Sequence, residues 1–254
     1  MGTAPDRLTF ITAVAVHAEI EELLPQFTRR HGIEVDVKYD VNPAVAKRIM
    51  DGEDFDVGLT NPWFVDEMIS LGHIIPGIHV PFGRVPLSIG TAGPAPEVMA
   101  TSPEGVRQLL LDADSIAYIA PGTSGKTFLR ALDMMGLHDQ VRDRLRPMGQ
   151  GEPPIAAARG EVQYAVAPLS RIIAAPGIAP IATFPPELGL NIDMSMLVHR
   201  NSRLDTALQL IEFLSTPGLD GYLRSHGVYR YELSRADAGI APATKMPGTW
   251  PGMI

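Results

Sequence analysis

The chain has 254 residues, a formal net charge of −8, and no cysteine. With 45% hydrophobic and 20% charged residues it can bury a sizeable core, so it is globular, either one large domain or two small ones. The acidic balance argues against a nucleic-acid partner, and the missing cysteines exclude disulfides, thiolate metal sites and a cysteine nucleophile.

The first third alternates strand and helix. Leu8 to Val14 is a short apolar run. "AEIEELLPQFTRRHG" follows with Ile20, Leu23, Leu24 and Phe27 on one helical face and Gly32 as its stop. "IEVDVKY" alternates like a half-buried strand. "NPAVAKRIMDG" reads as a helix with Asn42 as cap and Pro43 at the first helical position. "FDVGLT" is a strand, and "PWFVDEMISLG" a helix from Pro62 to Gly72. This order predicts a parallel sheet covered on both faces.

The middle repeats the pattern. "RVPLSIG" reads as a strand, and "PEGVRQLLLDA" as a helix after Ser102. "SIAYIA" is a strand, followed by the helix "SGKTFLRALDMMG". "GEPPIAAARG" is a short helix; "VQYAVAP", "IAPIATF" and "LNIDMSMLVHR" are strands. "SRLDTALQLIEFLSTPGLDGYLRSHG" is one or two helices, broken near Pro217 and Gly218. From Val228 the Gly- and Pro-rich tail reads as a surface wrap.

"APGTSGKT", Ala120 to Thr127, differs by one residue from a nucleotide-binding loop, with Ala120 in place of the first glycine. Such a loop needs an aspartate at the end of a later strand to hold magnesium. "VQYAVAP" and "IAPIATF" contain none, and Asp193 comes early in its strand. The loop therefore predicts an anion site at a helix start, or merely a turn, rather than a nucleotide site.

Several stretches together carry a family likeness. "LTFITAVAVHAEIEELLPQFTRRHGIEVDVKYD", "NPAVAKRIMDGEDFDVGLTN", "TSGKTFLRALDMMGL", "ARGEVQYAVAPLSRI" and "LIEFLSTPGLDGYLRSHG" resemble, in order and spacing, the type II periplasmic binding proteins of the molybdate-binding branch. The likeness spans roughly residues 7 to 230 and includes relatives that isomerise aconitate. It implies a two-lobed α/β fold, each lobe a mostly parallel sheet flanked by helices, with the ligand in a cleft between lobes. The lobes would be residues 1–84 plus 190–254, and 85–189. The hinge would fall near Arg84 to Leu87 and Leu188 to Asp193.

The same resemblance implies that the turns after the strands touch the ligand. In this chain they carry Thr12, Ala13 and His17; Asn42; Thr60 and Asn61; Thr123, Ser124, Gly125 and Lys126; and Ser170. Ala15 and Asn42 stand where molybdate-binding relatives present serines, and Ser170 where relatives often place a tyrosine. These departures favour a larger carboxylate or another polar metabolite over molybdate.

Each candidate also has a plainer reading. His17 either faces a ligand, as a carboxylate partner or proton shuttle, or pairs with Glu21 one helical turn on. Lys126 opposes the helix dipole, which suits a nearby anion or a solvated side chain. Arg84 is suited to clamp a carboxylate with its fork. Trp63 and Phe64 read as core. The other histidines, His31, His73, His79, His138, His199 and His226, lack ligand spacing, so neither metal nor cofactor is expected.

Two functions compete. One is a solute-binding protein that captures a small anionic metabolite and serves a membrane transporter. The other is an isomerase of a small unsaturated di- or tricarboxylate, with His17 as base. A regulator's effector domain is disfavoured by the lack of any DNA-binding segment before residue 7. No apolar run is long enough to insert in a membrane. The visible N-terminus suggests a cytoplasmic address, or a periplasmic one for a chain shorn of its leader.

Overall fold

The computed structural model describes residues 6–185 and 188–233. Most of the expected tail wrap, residues 234–254, lies outside the described residues. The chain divides into two compact units. Among the described residues, one comprises 6–84, Asp193–Leu223 and 229–233; the other comprises 85–185, 188–192 and Arg224–Val228.

The first unit is built on a mixed sheet. β1 (Asp6–Ala13) pairs in parallel with β2 (Ile33–Asp40) and β3 (Val57–Thr60). β9 (Asn191–His199) runs antiparallel to β3 and has β4 (Ile74–Ala92) on its other side. α1 (His17–His31) follows β1 through a short 3-10 turn, Val14–Val16. It stops where anticipated, at Gly32, whose φ of 71° lies in the left-handed region that favours glycine. α2 (Asn42–Met50) follows β2; β3 leads through the 3-10 turn Pro62–Phe64 into α3 (Val65–Ser70).

Ile11, Gly58 and Leu197 are side by side in the register, so one sheet face is continuous there. Val45, Ile49, Phe64 and Met68 pack on that face with Ile11 and Leu197. A side chain at Gly58 would meet Leu197 at 2.7 Å, which keeps the position small. Phe27 of α1 meets Phe213 of α9 (Leu204–Ser215) at 5.5 Å. Phe27 is fully buried, and a side chain of that size contributes roughly 1.5–3 kcal/mol, while Phe213 is half-buried. Pro217 and Gly218 do break the last helical segment: a 3-10 turn (Pro217–Leu219) separates α9 from α10 (Asp220–Ser225).

The second unit also has a mixed sheet. β5 (Ile116–Ile119) is parallel to β6 (Leu145–Met148) and β7 (Tyr164–Pro168). The far half of β4 runs antiparallel to β7 and to β8 (Ile178–Thr183). Around it stand α4 (Pro103–Asp112), α5 (Thr123–Met134), α6 (His138–Val141), α7 (Glu152–Ala158) and α8 (Leu169–Ala174). Ser102 caps α4 as its position suggests, accepting from the Gly105 N–H at 3.1 Å.

Three differences from the sequence reading have physical causes. β4 is 19 residues long, yet only "RVPLSIG" reads as a strand, because Pro76, Gly77, Pro81 and Gly83 disguise its first half. β6 and the one-to-two-turn helices α6 and α8 are too short to show a period. The cap of α2 is Val41, in extended backbone, and Asn42 is the first helical residue with no capping bond from its side chain. The Val41 N–H, just before the helix, donates to the Asp40 carboxylate at 2.8 Å.

Candidate functional site

The first unit gathers its polar candidates at one end of the sheet. Thr12 stands beside Tyr39 on one side and Leu59 on the other; Thr60 lies opposite Ser195. The three parallel strands therefore end level, and β9 begins there because it runs the other way. Each strand passes at once into a helical turn, so N–H groups without helical partners collect at this end.

Thr12, Asn42, Thr60, Asn61 and Ser195 are all buried. The Thr60 hydroxyl donates to the Asn42 carbonyl at 3.1 Å, tying the start of α2 to the end of β3. The Asn61 amide donates to the Asp193 carbonyl at 2.7 Å. His79 Nε2 and Ser195 Oγ are 2.6 Å apart. Among the described residues Thr12 Oγ1, Asn42 Oδ1 and Trp63 Nε1 have no hydrogen-bond partner although they are buried. In a folded protein such groups cost free energy and call for an explanation.

Ala13 ends β1 beside Asp40 and is buried. His17 opens α1, with its ring 4.4 Å from that of Tyr39. Glu21, the alternative partner for His17, accepts instead from the Tyr39 hydroxyl at 2.7 Å. Burial and that carboxylate push the Tyr39 phenol far above its ordinary range. Arg84 has both fork nitrogens on Asp193, each at 2.7 Å, and lies over the Tyr231 ring at 5.2 Å. The guanidinium is thus already held by a carboxylate of the chain itself. An open groove of about 600 Å³ follows the side of α1 past Leu24, Thr28 and Val37, and shares only Tyr39 with the strand ends.

In the second unit, β5 and β7 are parallel and in register, Ile116 beside Tyr164 and Tyr118 beside Val166. That brings Thr123, Ser124, Gly125 and Lys126, at the start of α5, and Ser170, in α8, to the same end of their sheet. Thr123, Ser124 and Ser170 are buried and Lys126 is half-buried. The helix cap is Gly122, without a side-chain bond. A side chain at Gly125 would meet the Ile119 carbonyl oxygen at 1.9 Å. The glycine of the near-nucleotide pattern is therefore required by the close approach of α5 to β5. At the place of the pattern's first glycine, the Ala120 N–H donates to the Met148 carbonyl at 3.1 Å, extending the β5–β6 pairing.

Ser195, His79 and Asp193 escape the sequence reading. One signal was present: in "IDMSM" the polar residues alternate with apolar ones, placing Asp193 and Ser195 on one face. Which strand they would lie against was not legible. Among the described residues no group of three or more His, Asp or Glu is placed to hold a metal ion, and no helix is long and apolar enough to cross a membrane.

Comparison with known proteins gives a consistent picture. The family model described as bacterial extracellular solute-binding protein matches residues 8–229. The aconitate isomerase of a Pseudomonas species is 23% identical over 216 residues, 82% of each chain. The periplasmic molybdate-binding protein of Azotobacter vinelandii superposes with a TM-score of 0.74 at 19% identity, over 89% of this chain and 100% of that one. The sulfate-binding protein of Mycobacterium tuberculosis H37Rv gives 0.68 at 14% identity, over 88% and 86%. At these identities the structural likeness speaks for the fold.

Proposed function

The chain belongs to the bacterial extracellular solute-binding protein family, and from that premise we propose that it captures a small anionic metabolite and serves a membrane transporter. The observation that carries the reading is the end of the first sheet, where Thr12, Asn42, Thr60 and Asn61 are buried together at helix starts. Neutral hydroxyls, amides and helix-start N–H groups suit an anion that must be held reversibly. The donor-rich start of α5 in the second unit, Thr123 to Lys126 with Ser170, is of the same kind. Service to a transporter implies a periplasmic address.

The test is a thermal-shift and calorimetric survey of the purified chain against sulfate, molybdate and small di- and tricarboxylates. A ligand that binds only the folded state raises the melting temperature in step with its concentration. The reading predicts such a rise for at least one anion, reduced in Thr60→Val. If no anion in the survey stabilises the chain, the reading falls.

A second reading has one specific motive, the likeness to an aconitate isomerase. In it, His17 takes a proton from the carbon at one end of a three-carbon allylic unit and returns it to the carbon at the other end, so the double bond moves over by one position without net oxidation. Proton NMR in deuterated water then shows exchange at carbon for a bound unsaturated carboxylate, abolished in His17→Ala. Binding with no exchange in the wild type excludes it.

A further inference from the structure

We propose that two copies of this chain associate across a two-fold axis through the free edge of β2, with Val37 of each copy on the axis. The inference is independent of what the chain captures.

β2 is the edge of the first unit's sheet and pairs, among the described residues, with β1 alone. Such an edge presents a row of unpaired N–H and C=O groups, and proteins usually blunt it with a proline, a bulge or a very short strand. β2 has none of these. It runs 8 residues, Ile33 to Asp40, without proline or glycine and in unbroken register with β1. Its one lysine, Lys38, is drawn back onto Glu53 at 2.7 Å. Beside the edge lies the open groove of about 600 Å³, lined by Leu24, Val35, Val37 and Tyr39 among others. Val35, Val37 and Tyr39 are only half-buried, so the edge is open and apolar on the side of α1.

The order of the charges favours a second copy as the occupant. β1 and β2 are parallel, so α1, which joins them, runs antiparallel to β2. Glu21 accepts from the Tyr39 hydroxyl at the end of β2. Arg29 follows about 12 Å further along the helix. Val35 lies about 13 Å back along the strand from Tyr39. Arg29 and Val35 both line the groove, so the basic end of the groove goes with Val35 as the acidic end goes with Tyr39. An antiparallel pairing centred on Val37 sets Tyr39 opposite the second copy's Val35, and Asp36 opposite the second copy's Lys38. The same rotation turns Glu21 towards the second copy's Arg29, and every contact occurs twice. Glu34 falls opposite the second copy's Asp40, a like-charged pair. Each of these already has an arginine: Arg7 on Glu34 at 2.8 Å, and Arg48 on Asp40 at 3.6 Å. Centring on Asp36 instead would set two copies of that carboxylate against each other.

The experiment sediments the full chain over a dilution series up to about 100 μM, a range that reveals a weak interface. The expected result is a dimer that dissociates on dilution. Val37→Lys puts like charges on the axis and is expected to leave a folded monomer, with its far-UV spectrum retained. Arg29→Glu is expected to weaken association several-fold, and adding Glu21→Arg to restore it. The chain has no cysteine, so Val37→Cys introduces a single thiol. On the axis it stands about 4.5–5.5 Å from its counterpart, Cβ to Cβ. Diamide oxidation is expected to convert most of this variant to a covalent dimer. Glu34→Cys, about 20 Å from its counterpart in this register, is expected not to cross-link. A monomer throughout the series overturns the inference, leaves the groove to an unlike partner and leaves anion capture standing. A dimer that survives Val37→Lys overturns it as well. Should Val37→Lys fail to fold, cross-linking decides: equal yields from Val37→Cys and Glu34→Cys overturn the proposal.

Discussion

Arg84 and Asp193 meet where the chain first leaves the first unit and where it first returns. Arg84 is the last residue of the first unit before the chain leaves it, and Asp193 the first after the chain returns. The guanidinium fork takes both carboxylate oxygens at 2.7 Å, while the Asp193 carbonyl accepts from Asn61. One residue thus joins the crossing strands to the end of β3.

Replacing Arg84 by Ala is expected to lower stability by about 1–3 kcal/mol, because Asp193 is only 19% exposed and loses a charge-assisted pair. Arg84→Lys recovers only part of it, since an ammonium cannot match the two-pronged geometry. Chemical denaturation of Arg84→Ala, Asp193→Asn and the double variant measures the pair; additive losses would show that it contributes no coupling.

Gly125→Ala is expected to disrupt the start of α5, since the added carbon meets backbone at 1.9 Å and backbone cannot step aside cheaply. Overpacking of this kind costs roughly 1–3 kcal/mol, and more where backbone must move. Ala120→Gly completes the nucleotide pattern and is expected to create no magnesium–nucleotide binding. Fluorescent nucleotide titration checks the second statement and thermal denaturation the first.

Acid should weaken the chain through Glu53. Its carboxyl is held down to about 2, first by the bond from Arg48 and also by Lys38, against an ordinary value of 4.5. A depressed carboxyl stabilises the fold above its unfolded value, and that stabilisation is lost as pH falls from about 4.5 towards 2. Arg48→Met removes most of the effect, so its denaturation midpoint should converge on the wild type across that window. Parallel curves would refute the assignment.

His199 should act in a milder range. Burial against Phe55 lowers its affinity for a proton below the ordinary 6.5, with Arg200 and His73 adding to the effect and Asp54 and Asp56 opposing it. A histidine that the fold prefers neutral contributes nothing at high pH and destabilises as pH falls below the unfolded value. His199→Phe is expected to flatten the stability profile just below pH 6.5. An unchanged slope there would assign the dependence to another group.

Much of this was legible beforehand. Local rules located nearly every element: Gly32 ends α1, Ser102 caps α4, and Pro217 with Gly218 divides the last helical segment. The turns carrying Thr12, Asn42, Thr60 and Asn61 were picked out by position after strands. Non-local facts were not legible. Asn42 reads as a cap from its neighbours, yet Val41 is the cap and Asn42 the first helical residue. His79 reads as a scattered histidine until β4 and β9 bring it to Ser195.

The order of most strands and helices and the absence of thiol chemistry follow from the amino-acid sequence alone, because periodicity, turn residues and composition act over short stretches of chain, and the family is legible there as a resemblance in the order and spacing of those stretches. Which polar atoms are satisfied and which are left over was decided only by tertiary structure. In the sequence Thr12 and Asn42 stand out only by their place in turns after strands, and Trp63 reads as core. Their unanswered polar atoms emerge only after residues more than a hundred positions away, Asp193 and Ser195, have engaged their neighbours Asn61 and His79. Hydrogen-bond satisfaction is a property of the folded neighbourhood, and burial alone turns it into a chemical preference.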